Sequence, residues 1–394
     1  MHVIPLELQD HVLDSLRGDR NALVDCALVC RAWRRRARFN LFHTLNIDWQ
    51  SRRRTKLLLE ILLEAHGSLR ELTFSHAANL QPEELIGLLE ALENLQSLSI
   101  LAHTRQSGLL GLMLTITAHP VLGERLLLAI ARMERLRVLD FTPRGFLYTS
   151  GPGPRSHDGP VLAVSGLRAL RSLDGDMLPA HRMHRLWTAL AAAKAHEGAA
   201  PLDHLGTAVH SLQPLAGFMR SVGSHLRTLR LDLRTVFFWE KDTASGFRES
   251  GLVLTQCKNL RALTLYLEAP SARDNGNIDV CAALLSTANT EDVPLAHIHI
   301  ILYHLSHKFF AIPGLAEAVG ALDENIVALP HLKRVDWDLA HCVVDDRGDS
   351  TDSKDLLFTM FCELVPQLDS QTKGIQLHWT GDLEPMKHPR IENA

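Results

Sequence analysis

Apolar positions recur along this chain in two spacings, and their alternation predicts its elements. From residue 55 onward, apolar stretches with helical spacing are followed by L-x-x-L-x-L or a close variant. Clear copies lie at 69–74 (LRELTF), 95–100 (LQSLSI), 136–141 (LRVLDF), 226–231 (LRTLRL), 260–265 (LRALTL), 295–300 (LAHIHI) and 332–337 (LKRVDW). A weaker copy starts at Leu170, and 202–205 and 375–377 are degenerate candidates. Successive strand residues point to opposite faces. The apolar fourth and sixth positions therefore share one face, and the third, fifth and seventh share the other. Stretches at 56–66, 82–93, 123–134, 212–222, 280–288, 315–329 and 356–366 supply helices to cover the apolar face. Helix–strand alternation predicts parallel strands. One unit cannot bury its own face, so stacking into an α/β solenoid with outer helices is expected. A closed barrel or a doubly wound sheet is the alternative. The unequal repeat lengths favour the solenoid.

The first 48 residues carry a different pattern. Ile4-Pro5 precedes Leu8, Val12, Leu13 and Leu16 at helical spacing, with Glu7 in the first turn. Pro5 suits the first helical position, where its missing N–H costs nothing, and Gly18 suits a stop. Asp19 or Asn21 could cap a second helix. That helix carries Leu23, Cys26, Ala27, Leu28, Val29, Cys30 and Trp33, which do not keep to one face. A three-helix unit of about 45 residues is too small to bury them all. Either the repeats or a partner protein must cover the surplus.

Composition adds limits. The chain has 394 residues, 46% hydrophobic and 22% charged, as in an ordinary globular protein. A net charge of −4 gives no bulk case for nucleic acid or membrane binding. Arg34-Arg35-Arg36-Ala37-Arg38 fits the wet face of a third short helix; Arg52-Arg53-Arg54 follows closely and makes a nuclear import signal a weak option. The six cysteines form no C-x-x-C pair, which suits a reducing compartment. No secretory leader is expected at Met1-His2, and the apolar stretch 109–131 is too interrupted to span a bilayer. A cytoplasmic or nuclear location follows as the expectation. The segment 148–160 (with Gly151-Pro152-Gly153-Pro154) and the acidic 345–355 are expected as loops, and 382–394 as a mobile tail.

The chain carries no G-x-S-x-G, G-x-x-x-x-G-K-[ST] or H-E-x-x-H, and no G-x-G-x-x-G opening a helix. His181 with His184, and His297, His299, His304 and His307, lack the further ligands a metal site needs, so no metal or cofactor is assigned. The row of outer strand positions is the better candidate surface. It runs from Glu71, Thr73, Ser97 and Ser99 through Asp140, Asp174, Thr228, Arg230 and Asp232. It continues with Thr264, Tyr266, His297, His299, Arg334, Asp336 and Asp338. The ordinary alternative is a wet sheet face. In-register stacking would place His299 beside Asp336, and a neighbouring carboxylate favours the charged imidazole, so a raised His299 pKa is expected.

Ile4-Pro5, Glu7-Leu8, Val12-Leu13, Leu16 and Val29-Cys30-Arg31-Ala32-Trp33 together resemble the F-box, in order and spacing. The match covers residues 1–48. Repeat starts roughly 24 to 41 residues apart are longer and less even than the ~20–29 of standard leucine-rich repeats. In this the array at 49–394 is similar to the irregular leucine-rich-repeat-like arrays that follow F-boxes in many fungal proteins. The resemblance implies a three-helix F-box followed by a substrate-binding solenoid. It implies a non-catalytic substrate receptor of a cullin-based (Skp/cullin/F-box) ubiquitin ligase. Ile4, Pro5, Leu8, Val12, Val29, Cys30 and Trp33 would meet the adaptor subunit and, through it, a cullin. Arg230, Asp232, Tyr266, His297, His299, Arg334, Asp336 and Asp338 would meet an unnamed protein target. The alternatives are an F-box scaffold outside any ligase and, less favoured, an enzyme on an α/β fold.

Overall fold

The computed structural model describes residues 5–49, 69–77, 81–103, 116, 119–141, 143–144, 162, 165–176, 178–209, 212–234, 247, 249–268, 276–303, 314–341, 363–366 and 376–380. The expected helix at 56–66, the loops at 148–160 and 345–355, and the tail at 382–394 lie outside these residues, as does Ile4. The chain forms two compact units, Met1–Ala200 and Pro201–Ala394.

The first unit opens with helices α1 (Leu6–Ser15), α2 (Arg20–Val29) and α3 (Arg31–Leu41). Pro5 sits just before α1, one place earlier than expected, and its carbonyl accepts from the Leu8 and Gln9 amides at 3.1 Å. Asp19 caps α2 by accepting from the Ala22 amide at 3.0 Å, the usual way of satisfying an orphan helical N–H. The Cys30 sulfur receives the Trp33 amide at 3.4 Å at the start of α3. Leu13, Leu23 and Ala37 form the small core, with Leu16, Cys26, Ala27, Trp33 and Leu41 packed around it. A polar seam joins α1 to α3. Buried Asn40 donates to the Leu13 carbonyl (2.9 Å) and to Asp14 (3.0 Å), and accepts from Arg17 (3.0 Å). Arg36 grips Asp14 with both arms of its guanidinium. Hydrogen bonding from Arg36 outweighs the upward push of burial and holds the Asp14 carboxyl at about 2.

The chain passes from α3 directly into a strand, β1 (Thr44–Trp49). The boundary expected after residue 48 thus falls inside a strand, because β1 pairs with the first repeat strand, β2 (Glu71–Ala77). Strands β3 (Ser97–Ile100), β5 (Val138–Asp140) and β7 (Ser172–Asp174) follow in spatial order, all parallel. β4 (Ala102–His103) and β6 (Pro143–Arg144) make a separate short ladder. Helices α4 (Pro82–Ala91), α5 (Pro120–Arg132) and α6 (Ala180–Lys194) lie between strands in sequence. The second unit repeats the scheme. Its parallel strands are β8 (His204–Ala208), β9 (Thr228–Asp232), β10 (Ala262–Glu268), β11 (His297–Tyr303), β12 (Arg334–His341) and β13 (Gln376–Thr380). Its helices are α7 (Leu212–Val222), α8 (Gly276–Ser286) and α9 (Leu315–Ala328). All three degenerate copies are strands: β7, β8 and β13. Among the described residues β1 pairs only with β2 and β13 only with β12, so the fold is parallel α/β and not a closed barrel.

The register is the one the repeat demands. Leu72, Leu98, Leu139 and Leu173 align across the first unit, and Leu205, Leu229, Leu263, Ile298 and Val335 across the second. All are buried. Each such side chain contributes ~1.5–3 kcal/mol by leaving water. Ser97, Thr228, Ala262 and His297, on the other face, remain partly exposed. The pitch is fixed at the strand entrances. There the second residue of most copies accepts two amides from the next: Arg137 O from Arg171 (2.8 Å) and Ser172 (3.0 Å), Arg227 O from Arg261 (2.8 Å) and Ala262 (3.2 Å). The helices follow the expected ranges where they are described. Residues 212–222 coincide with α7, whereas α5 starts three residues early because Pro120 takes its first turn and His119 caps it.

Candidate interaction surfaces

Two surfaces stand out. The first lies on α1 and α2. Leu8 and Val12 sit one turn apart on α1, and Val24 and Leu28 one turn apart on α2, so each pair shares a helix face. Leu28 is 74% exposed and Val29 64%, while Leu6, Leu8, Val12 and Val24 are about half exposed, from 45% to 56%. Neither the repeats nor the three-helix core covers them. Pro5 and Cys30 are exposed as well. Trp33, expected at the same surface, is different. It packs against the three-helix core and its indole N–H donates to Gln9 at 2.7 Å. It positions helices and is only partly accessible. Leu6, Val24 and Leu28 were missing from the expected set. The signal for Val24 and Leu28 was their i, i+4 spacing to each other on α2.

The second surface is the outer face of β9 to β12. The strands place the expected residues side by side: Thr264 beside His299 and His299 beside Asp336, Arg334 beside His297, and Asp338 beside Ile301. Side-chain contacts then cross the rows diagonally. The Asp336 carboxylate takes His297 Nε2 at 2.6 Å and Arg334 Nε at 2.7 Å. Burial alone would raise the Asp336 carboxyl, yet these two hydrogen bonds hold it at about 2. His299 is left out of this arrangement. It is 9% exposed, its Nε2 meets no hydrogen-bond partner, and burial pushes its pKa down to about 4 against the upward pull of Asp336. The expected rise at His299 is therefore reversed: the carboxylate beside it in register is already engaged by His297 and Arg334, and desolvation decides.

Toward the strand ends the face turns aromatic and cationic. Arg234 pairs with Asp232, at 2.8 Å from Nε and 2.6 Å from Nη2, with both side chains buried. The Arg234 guanidinium lies 4.1 Å from the Tyr303 ring centroid and 5.5 Å from that of Tyr266. Arg230 lies 5.5 Å from Tyr266 on the same ring system, and the two tyrosines stack at 6.2 Å. Arg234 and Tyr303 escaped the sequence reading, although continuing the period-two rows 228–230–232 and 297–299–301 by one step reaches both.

The outer face is thus less open than its polar sequence implied. Asp232, His299, Asp336 and Asp338 are buried, whereas Arg230, Tyr266, His297 and Arg334 stay accessible. Cations and a phenol line the accessible layer over buried carboxylates. Such a layer can bind peptide groups through hydrogen bonds, ring faces and guanidinium forks. Among the described residues no group of three His, Cys, Asp or Glu side chains is placed to hold a metal. No described helix is long and apolar enough to cross a membrane. Compared with known proteins, the chain matches no family model and no curated protein.

Proposed function

We propose that the chain is a substrate receptor of a cullin-based ubiquitin ligase. In this reading residues 1–48 are an F-box that docks on the ligase adaptor through α1 and α2. The strands and helices that follow form a leucine-rich-repeat-like solenoid whose outer face in the second unit holds a protein target. One observation carries the proposal. Six aliphatic side chains, Leu6, Leu8, Val12, Val24, Leu28 and Val29, stand exposed on two consecutive helices of a three-helix segment whose buried cluster is Leu13, Leu23 and Ala37 with a few partly buried neighbours. Exposed aliphatics concentrated on so few turns mark a docking surface.

The chain's part would be to bring two proteins together. Holding the target near a ubiquitin-loaded enzyme raises its effective concentration without any group of this chain entering the reaction. The accessible Arg230, Tyr266, His297 and Arg334 would contact the target, while Asp336 would hold His297 and Arg334 in place and Asp232 would hold Arg234 against the tyrosine rings. The test is co-purification of the full chain with adaptor and cullin, comparing wild type with Leu8→Asp/Leu28→Asp. Both positions are exposed, so the variant should fold and lose the adaptor. A folded variant that retains wild-type adaptor recovery contradicts the proposal.

A further inference from the structure

Building on the reading of α1 and α2 as an adaptor-docking face, we propose that an arginine stripe on α3 extends that face and takes an acidic segment of the same partner protein. Helix α3 holds five arginines and no carboxylate. Arg31, Arg34, Arg35 and Arg38 fall at i, i+3, i+4 and i+7, so they share one side of the helix, over ~10 Å of its length. All four are exposed. The fifth, Arg36, is partly buried and is neutralised by Asp14. Among the described residues the other four make no ion pair with a carboxylate.

The local fold holds the stripe beside the exposed aliphatics. The other side of α3 is anchored: Ala37 and Asn40 are buried, and Trp33 packs against the three-helix core. Arg34 Nε donates to the Ala27 carbonyl at 3.3 Å. That carbonyl is among the last four of α2, which have no partner within their own helix. Arg34 thus ties the start of the stripe to the C-terminal turn of α2. Leu28 and Val29, the two most exposed large aliphatics among the described residues, occupy that same turn. Only Cys30 separates them from Arg31. The apolar and basic patches therefore meet at the α2–α3 turn and form one surface.

The combination selects the partner. Guanidinium forks match carboxylate and phosphate oxygens alike, so the neighbouring groups decide between them. Single-stranded nucleic acid uses aromatic faces to stack its bases. The aromatic residues of α3 are Trp33, packed on the core and bonded to Gln9, and Phe39, whose ring lies 5.0 Å from the Arg36 guanidinium. Membrane-surface helices carry cations and apolar groups on opposite faces of one helix. Here the aliphatics lie on α1 and α2 and the arginines on α3. The net charge of −4 also opposes long-range attraction to either kind of polyanion. A protein face with aliphatic groups beside several carboxylates meets both patches at short range, within a Debye length of ~8–10 Å.

Association kinetics of the full chain with the purified adaptor–cullin complex test this. Wild type should associate more slowly as salt rises. Arg31→Glu/Arg35→Glu/Arg38→Glu should slow association at least ~10-fold at low salt, flatten the salt dependence and leave dissociation within about threefold. Arg137→Glu/Arg168→Glu/Arg261→Glu makes the same charge change at exposed positions of the repeats. It should slow association no more than about twofold. Leu8→Asp/Leu28→Asp should instead speed dissociation at every salt concentration, which separates the charged contact from the apolar one. Arg31→Gln/Arg35→Gln/Arg38→Gln removes charge without reversing it. It should slow association by a few fold, and it carries the test if the charge-reversed variant does not fold. Wild-type association in a folded arginine variant, or equal slowing by the repeat variant, would overturn the proposal and leave the adaptor-docking role of α1 and α2 standing. So would binding of single-stranded RNA or anionic vesicles that the α3 variant loses while it keeps the adaptor. No measurable binding of wild type to the complex would overturn both.

Discussion

At position 299 an imidazole sits one strand away from a carboxylate and still stays neutral. The Cα neighbours, Thr264 on one side and Asp336 on the other, were legible from the repeat pattern alone. The side-chain partner was not, because Asp336 reaches diagonally to His297, and burial depth cannot be read from a polar alternation. The consequence is a pH dependence with a definite sign. With the folded pKa of His299 at about 4 and an unfolded value of ~6.5, the unfolded chain binds the extra proton first. Stability is full above pH ~6.5 and falls as pH drops toward 4, by an amount on the order of 3 kcal/mol. Urea unfolding at several pH values should show this slope in wild type and a flatter one in His299→Gln. An NMR titration midpoint for the ring at or above its ordinary value would contradict the burial argument. Asn40 offers a second test at this scale. It satisfies a helix carbonyl and two charged side chains from a buried position, so Asn40→Ala should cost about 2 kcal/mol in denaturant unfolding.

Elements owe their positions to packing that a single residue can spoil. A methyl group added to Gly166 would collide with the Ala131 carbonyl oxygen at the end of α5, and backbone cannot step aside as a flexible side chain can. Gly166→Ala should therefore destabilise the first unit by about 2–4 kcal/mol, read as a lowered thermal midpoint. A neutral effect would mean that the helical turn 165–167 is held less closely than described. Strands were the most legible elements, since within each unit the L-x-x-L-x-L copies align in the expected register. α6 was less so: after Leu190 its last turn is Ala191-Ala192-Ala193, small residues that do not mark a covering face. Helices α1 and α2 were legible as apolar but not as to which side faces out. Leu13 and Leu23 went inward, whereas Leu8 and Leu28, five residues away in each case, face the opposite side. For the same reason Trp33→Ala is a poor probe of docking, since it opens the core that orients both helices.

At the scale of the whole molecule, the proposed receptor carries separate surfaces for separate partners. The exposed aliphatics belong to α1 and α2, and the cation-and-phenol surface belongs to β9 through β12. Changes at sites that share no partners tend to add independently. Tyr266→Ala with Arg334→Ala should reduce recovery of target proteins several-fold and leave adaptor binding at wild-type strength. Asp336→Ala is less suitable, because it strips a buried partner from both His297 and Arg334 and so mixes stability with recognition. A paired pull-down scored separately for adaptor and targets checks this; loss of both together would contradict separate surfaces. The most direct measurement is the affinity of the purified full chain for the adaptor–cullin complex, for wild type and for Leu8→Asp/Leu28→Asp. Desolvated contacts of this size are worth ~2–4 kcal/mol each, so the variant should bind at least ~100-fold more weakly with an unchanged melting temperature. No measurable wild-type affinity, or equal affinity in a folded variant, would contradict the account.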